Sequence, residues 1–338
     1  MWIRLLAGAL LLTACTTPAP GPVATSTKGQ QSSPVPWPST LPVGPVDFNC
    51  KLPVWSSEGA RVNDAFIQFA AGTRSPAGEG GYYYDEVVAR WLPVRRDAVS
   101  PDGRRYAYTE GWSAGPAGAP RVHIADAATG ADIRVAQMPE AQPFGVTAFT
   151  TTGVYLVIAY EGVVPGVWRA DPDTGKVTKV SDGLYEPAGA AWLGVIDPRD
   201  PKPFESPGYG FRSPNRIDRR DDTGAMTTWF YKPGFAVSWI AFDGSPALLV
   251  RTVHQDVSAR EFGEDYWLVD APGSATKLAG HSVQTMYPYY DLQAGFGAGV
   301  ADSHGIWIGG QKALYLIRRN GAIMQVFEGW VYPANGCR

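Results

Sequence analysis

Five glycines, at positions 130, 175, 224, 273 and 321, recur at spacings of 45, 49, 49 and 48 residues, and each stands between two short runs rich in β-branched and aromatic residues. Residues 121–126 lead through Ala-Ala-Thr to Gly130, residues 166–171 through Pro-Asp-Thr to Gly175, and residues 215–221 through Asp-Thr to Gly224. Residues 265–270 lead through Ala-Pro to Gly273, and residues 314–320 run directly into Gly321. An Asp or Asn that caps a turn, followed by a glycine free to take positive φ, is the signature of a hairpin. One period earlier a sixth hairpin is expected near residue 82, where residues 81–85 meet residues 86–91. Six hairpins between residues 48 and 338 give about 48 residues per repeat, which is room for four strands each. The expectation is an all-β chain folded as a six-bladed β-propeller of four-stranded blades. Seven blades would need about 42 residues each, a poorer match to the spacing. An array of β-sandwiches does not explain a regular turn recurring six times.

The composition agrees. Hydrophobic residues make up 45% of the 338 and charged residues only 18%, enough apolar material for a core and far from a disordered chain. The balance of 29 Lys+Arg against 32 Asp+Glu gives a net charge of −3, which excludes the basic excess of a dedicated nucleic-acid binder.

The N-terminus carries an address. Arg4 precedes an apolar run from Leu5 to Leu12, then Thr13, Ala14 and Cys15. This is a secretory signal over residues 1–14, too short to span a bilayer stably. The ending Leu12-Thr13-Ala14-Cys15 resembles the bacterial lipobox. That resemblance implies cleavage before Cys15 and a diacylglycerol on its thiol, and two or three acyl chains anchor firmly at roughly 0.8 kcal/mol per buried methylene. The expected location is therefore extracytoplasmic: the outer face of the plasma membrane, or the outer membrane of a two-membrane envelope. Residues 15–47 contain eight prolines among Thr, Ser, Gly and Gln, a composition that makes a solvated tether and no core. The propeller is expected over residues 48–338.

Two cysteines remain, Cys50 near the start of the folded region and Cys337 at its end. An even pair in an oxidising compartment suggests a disulfide; the alternative is two separate buried thiols. A bond between them would fasten the last blade to the first. No Cys-x-x-Cys spacing exists for redox or zinc chemistry.

Residues 98–108, Ala-Val-Ser-Pro-Asp-Gly-Arg-Arg-Tyr-Ala-Tyr, resemble the S-P-D-G motif of TolB-like propellers, and the segments around Gly130, Gly175 and Gly273 resemble the hairpins that follow it there. Residues 302–309, Asp-Ser-His-Gly-Ile-Trp-Ile-Gly, are similar to the D-x-x-G-x-W-x-G repeat of periplasmic sensor propellers. What these resemblances imply is fold, not activity.

Signals for chemistry are sparse. The four histidines, 123, 254, 281 and 304, form no local metal motif, and no nucleophile elbow, Walker loop or dinucleotide fingerprint is present. No catalytic residue, metal or cofactor is expected. His123 reads as a packed or edge residue of a strand. Asp302 and His304 sit at a turn, where Asp normally caps backbone amides. Gly295–Gly299 reads as room for an inner strand. Asp197, Asp200, Asp218, Asp221 and Asp222 alternate with Arg199, Arg212, Arg216, Arg219 and Arg220 and read as a solvated ion-pair surface.

The suggestive surface is aromatic. Loops that join one blade's outer strand to the next blade's inner strand share one face of a propeller. Tyr185, Glu186, Tyr287, Tyr289, Tyr290, Trp330 and Tyr332 fall in such loops, and His304 joins them as a candidate. Exposed Tyr and Trp anchor protein interfaces and sugars; the competing reading is packing between blades. The leading expectation is a monomeric, non-catalytic binding or scaffold module held to the membrane by its N-terminal lipid, with an envelope protein or glycan as partner. The alternatives are a propeller hydrolase or lyase acting on envelope glycans or peptides, and a ligand-sensing accessory of another membrane protein.

Overall fold

The computed structural model describes residues 46–58, 61–110, 120–139, 144–158, 166–181, 192–201, 214–221, 225–242, 248–256, 261–283, 299–310, 313–318, 320 and 322–338. The expected signal peptide, Cys15 and the expected tether up to residue 45 lie outside them. Among the described residues twenty-four strands form, with a single short 3-10 turn (Arg96–Ala98). Among the described residues no helix is long and apolar enough to cross a membrane.

The strands follow one another as β1 (Cys50–Glu58), β2 (Arg61–Phe69) and β3 (Thr73–Pro76); the pair β4 (Tyr83–Asp85) and β5 (Arg90–Leu92); and β6 (Arg105–Thr109), β7 (Arg121–Asp126) and β8 (Asp132–Gln137). Next come β9 (Phe144–Thr150), β10 (Gly153–Ile158), β11 (Val167–Ala170) and β12 (Val177–Ser181), then β13 (Trp192–Val195), β14 (Arg216–Arg220) and β15 (Met226–Tyr231). The last are β16 (Ala236–Phe242), β17 (Leu248–Asp256), β18 (Glu261–Ala271) and β19 (Ser274–Val283), then β20 (Gly299–Asp302), β21 (Gly305–Gly309), β22 (Ala313–Ile317), β23 (Ile323–Glu328) and β24 (Tyr332–Pro333).

These make six antiparallel sheets of three or four described strands, with orders β24-β1-β2-β3, β6-β7-β8, β9 to β12, β13-β14-β15, β16 to β19 and β20 to β23. We number them blades 1 to 6. The fold is a six-bladed β-propeller.

The turn chemistry is as the repeat requires. Gly130, Gly175 and Gly273 have φ of 76°, 75° and 72°, a region that costs an L side chain energy. Asp126 Oδ1 accepts the Thr129 N–H at 2.8 Å, and Asp171 Oδ1 accepts the Thr174 N–H at 2.8 Å. Gly224 and Gly321 are outside the described residues, but the strands on either side of each pair as hairpins.

The expectation near residue 82 needs correction. The hairpin there, β4–β5, is a separate two-stranded sheet. The outer hairpin of blade 1 turns instead at Gly72, between β2 and β3. The inserted hairpin acts as a wedge. Tyr84 and Trp91 pack with Trp55, Phe66 and Ala334 of blade 1, while Leu92 packs with Tyr106 and Ala125 of blade 2.

The core lies between blades rather than at one centre. Leu52, Val54 and Ile67 of blade 1 meet Trp307, Leu314 and Leu316 of blade 6. Val122 and Ile124 of blade 2 meet Leu156 and Trp168 of blade 3. Ile217 and Phe230 of blade 4 meet Val237 and Val250 of blade 5, and Leu249 and Tyr266 of blade 5 meet Ile306 and Ile308 of blade 6. Burial of each large side chain of this kind contributes roughly 1.5–3 kcal/mol.

Blade 1 takes its first strand from the C-terminus and its other three from the N-terminus. Val54 pairs with Pro333 and Trp55 with Tyr332. The tail continues alongside β1: the Ala334 N–H donates to Pro53 O at 2.8 Å, and the Lys51 N–H donates to Arg338 O at 2.7 Å. Cys50 and Cys337 form the disulfide, with Cα atoms 5.5 Å apart. Asp302 of blade 6 braces this closure, accepting N–H bonds from Cys337 at 2.7 Å, from the Trp307 indole at 2.7 Å and from His304 at 2.7 Å. Val46, just ahead of the expected boundary at residue 48, is already buried in the same core.

Candidate functional site

Strand polarity sorts the loops. The β1–β2 turn, the segment after β3 and the segment before β24 all lie at one end of blade 1. This is the end where the blade-to-blade loops run. The start of β2 places Asp64 inward, only 3% exposed. Its carboxylate accepts backbone N–H bonds from Gly78 at 2.9 Å, Glu79 at 3.0 Å, Gly80 at 3.0 Å and Gly81 at 3.4 Å. Gly78 and Gly80 have φ of 81° and 79°, which lets successive amides converge on one anion. The Glu79 side chain is also tied, its Oε2 accepting the Trp91 N–H at 3.2 Å. The loop is therefore fixed from two sides.

Beside this loop lies an open cleft of about 880 Å3. Ser56, Ser57, Arg61, Asn63, Arg74 and Trp330 line it together with the Asp64 loop. Trp330 is 40% exposed although indole is among the costliest surfaces to leave in water. Arg74 Nη2 donates to Ser56 Oγ at 3.3 Å. Among the described residues no carboxylate pairs with Arg61 or Arg74. The cleft thus offers one exposed aromatic face, two guanidinium groups with free donors, and three short polar side chains.

The other expected positions fall elsewhere. Tyr332, two residues from Trp330, is buried and stacks on its cross-strand partner Trp55 within blade 1, with ring centroids 4.6 Å apart. His304 lies in the β20–β21 turn, at the opposite end of its blade from the loop face, stacked on Phe48 at 3.8 Å. Tyr185, Glu186, Tyr287, Tyr289 and Tyr290 lie outside the described residues, as does most of the 295–299 glycine run.

In blade 4, three of the five carboxylates expected on a solvated surface are buried, while Asp221 is exposed and Asp222 lies outside the described residues. Asp197, Asp200 and Asp218 are 1%, 7% and 5% exposed. Arg199 grips Asp197 with Nε and Nη2, at 2.9 and 2.5 Å, and Arg216 Nη1 adds a third bond at 2.7 Å. The Arg199 guanidinium, followed by its backbone amide and Arg216, holds the Asp197 carboxyl well below the usual carboxylate range. Asp200 Oδ2 accepts from Asn215 Nδ2 and from the Gly234 N–H, both at 2.7 Å, which ties two loops together. With their donors facing these carboxylates, such groups brace the blade and leave no obvious place for a substrate. Asp221 caps a turn through the Ala225 N–H at 2.9 Å.

His123 is buried, as its strand position suggests. Nδ1 faces Asp132 at 2.8 Å, Nε2 faces Glu110 at 3.4 Å, and the ring stacks on Tyr108 at 4.7 Å. Burial and the bond to Asp132 push the Tyr108 hydroxyl up to about 12. Among the described residues no group of three or more His, Cys, Asp or Glu could hold a metal ion.

Comparison with known proteins identifies no family: no protein-family model matches the chain, and no curated protein matches it significantly. Solved structures with related folds do exist. TolB from Acinetobacter baumannii is similar at 14% identity, covering 85% of this chain and 67% of that one, with a TM-score of 0.44. The β-propeller domain of the Trilobed protease from Pyrococcus furiosus is similar at 14% identity, covering 84% of each chain, with a TM-score of 0.41. The propeller assignment rests on the strand order given above.

Proposed function

We propose that this protein is a lipid-anchored, extracytoplasmic propeller that acts as a non-catalytic binding module at the cell envelope. The observation that carries this reading is Trp330, an exposed indole set in an open cleft on the loop face. An aromatic surface left in water at an open cleft is typical of a binding anchor. The signal sequence and the Cys15 motif support secretion and lipidation, and the Pro-rich segment after Cys15 supports a tether.

The test is photo-cross-linking on intact cells. A photoreactive residue replaces Trp330 in one variant and Ile133, an exposed residue of the blade 2 edge, in another. The expected result is a discrete adduct from position 330 that is absent from position 133. Equal labelling from both positions, or none from 330, overturns the cleft as the binding site. In parallel, Cys15→Ala is expected to release the protein from the membrane fraction. Retention of that variant in the membrane would overturn the anchor.

A further inference from the structure

Resting on the binding reading above, we infer that the blade 1 cleft recognises a carboxylate-bearing saccharide. The chemistry of its lining carries the choice. Trp330 presents a flat indole of the kind on which the C–H face of a pyranose stacks. Arg61 and Arg74 line the cleft with guanidinium forks that match the geometry of a carboxylate, and Arg74 Nη2 is bonded to Ser56 Oγ. Two acidic groups of the lining are already engaged, and Glu58 stands opposite Arg61 in the β1–β2 ladder. Asp64 is wrapped by four backbone amides, and Glu79 accepts the Trp91 amide. Ser56, Ser57 and Asn63 supply short donors and acceptors of the kind that pair with ring hydroxyls. The cleft is open, and its lining mixes the polar groups with Val62, Pro76 and the Trp330 indole.

The pairing across blade 1 puts Ser56, Arg61, Asn63 and Arg74 on one face of the sheet. Ser56 lies opposite Asn63 in the β1–β2 ladder, and Arg74 lies opposite Ile67 in the β2–β3 ladder. Trp330 enters from the far end of the chain because β24 joins the same sheet. The site therefore exists only in the closed ring.

Isothermal titration of the full-length protein in detergent tests the inference, with trigalacturonate and its methyl ester as probes. The two share rings and linkages and differ only in the carboxylate charge. The acid is expected to bind, more weakly as salt rises, and the ester at least tenfold less tightly. Arg61→Gln and Arg74→Gln should each weaken the acid about tenfold, and the ester little. Trp330→Ala should abolish binding of both, and Trp330→Phe should recover part of it. All are surface positions, and unchanged melting temperatures would show that folding is intact. Equal binding of acid and ester, or arginine variants without effect, overturns the carboxylate assignment while leaving the binding module standing. No binding of either probe, alongside a specific cross-link from position 330, overturns the saccharide and points to a protein partner. No binding and no cross-link overturns both readings.

Discussion

Reduction of the Cys50–Cys337 bond is the perturbation whose size can be worked out most directly. The bond joins residues 287 apart, so it closes nearly the whole folded domain into one loop. In the chain-entropy model, a loop of that length removes about 19 cal/mol/K from the unfolded chain, or about 5.7 kcal/mol at 25 °C. The native state should lose little, because other contacts hold the closure. The β24–β1 pairing, the bonds of the C-terminal tail to Lys51 and Pro53, and the Leu52–Trp307 core all survive reduction. A domain of this size has an unfolding entropy of about 0.6 kcal/mol/K at its midpoint, so 5.7 kcal/mol corresponds to a fall of about 9 °C in Tm. Calorimetry on the oxidised protein, the reduced protein and a Cys50→Ser, Cys337→Ser double variant would measure it, with free thiols titrated in each sample. The reduced and double-variant proteins should melt together, below the oxidised one, and keep the same far-ultraviolet spectrum. A midpoint unmoved by more than about 2 °C, with both thiols shown to be free, would refute the entropic staple. Loss of native spectrum on reduction would refute the claim that the remaining contacts suffice to close the ring.

Two further predictions follow from buried carboxylates. Asp64→Ala leaves four converging amides without their acceptor and is expected to cost about 3 kcal/mol, with faster hydrogen exchange at residues 78–81; unchanged exchange there would show that the loop stands without its anion. Asp197 has its pKa lowered in the folded state, so its stabilising contribution is full above the ordinary carboxylate pKa near 3.8 and is lost as pH falls below that value. Chemical denaturation of the wild type between pH 6 and pH 2.5 should show stability falling with acid, and Asp197→Asn should be less stable at pH 6 and flatter with pH. Parallel curves for the two proteins would remove Asp197 from the acid response.

The ring was largely legible in the sequence because its turns obey local chemistry. An Asp that accepts amides two or three residues on, followed by a glycine at positive φ, is written in a few letters at 126–130 and 171–175. The turn at Gly72 escaped because Phe69-Ala-Ala-Gly72 has no capping Asp, and because the β4–β5 insertion fills the place where the next period was due. The candidate site was legible only in part. Trp330 stands out in a loop, but nothing local marks Arg61 and Arg74, which come together with it only through strand pairing and ring closure. The glycine-rich run at 78–81 was the available signal for the Asp64 anchor, since repeated glycines allow amides to converge. Alternating Asp and Arg at 197–221 read as surface because sequence does not reveal when two guanidiniums are drawn in to neutralise a buried carboxylate. Tyr332 and His304 show the complementary case: the same residue types that make binding faces also pack within a blade, as Tyr332 does on Trp55, or against the chain ahead of β1, as His304 does on Phe48.

Blade 1 also sets the order in which the molecule is made. A chain growing from its N-terminus presents β1 early, yet β1 keeps one bare edge until residue 332 emerges. Throughout that interval the edge is a template for any passing strand, including the same strand of another copy. Arrival of the last few residues covers the edge, brings Cys337 to Cys50 and seats Trp330 beside the arginines. An interrupted chain therefore lacks a ring, a cross-link and a cleft at once. Closure of the ring and formation of the cleft are the same event.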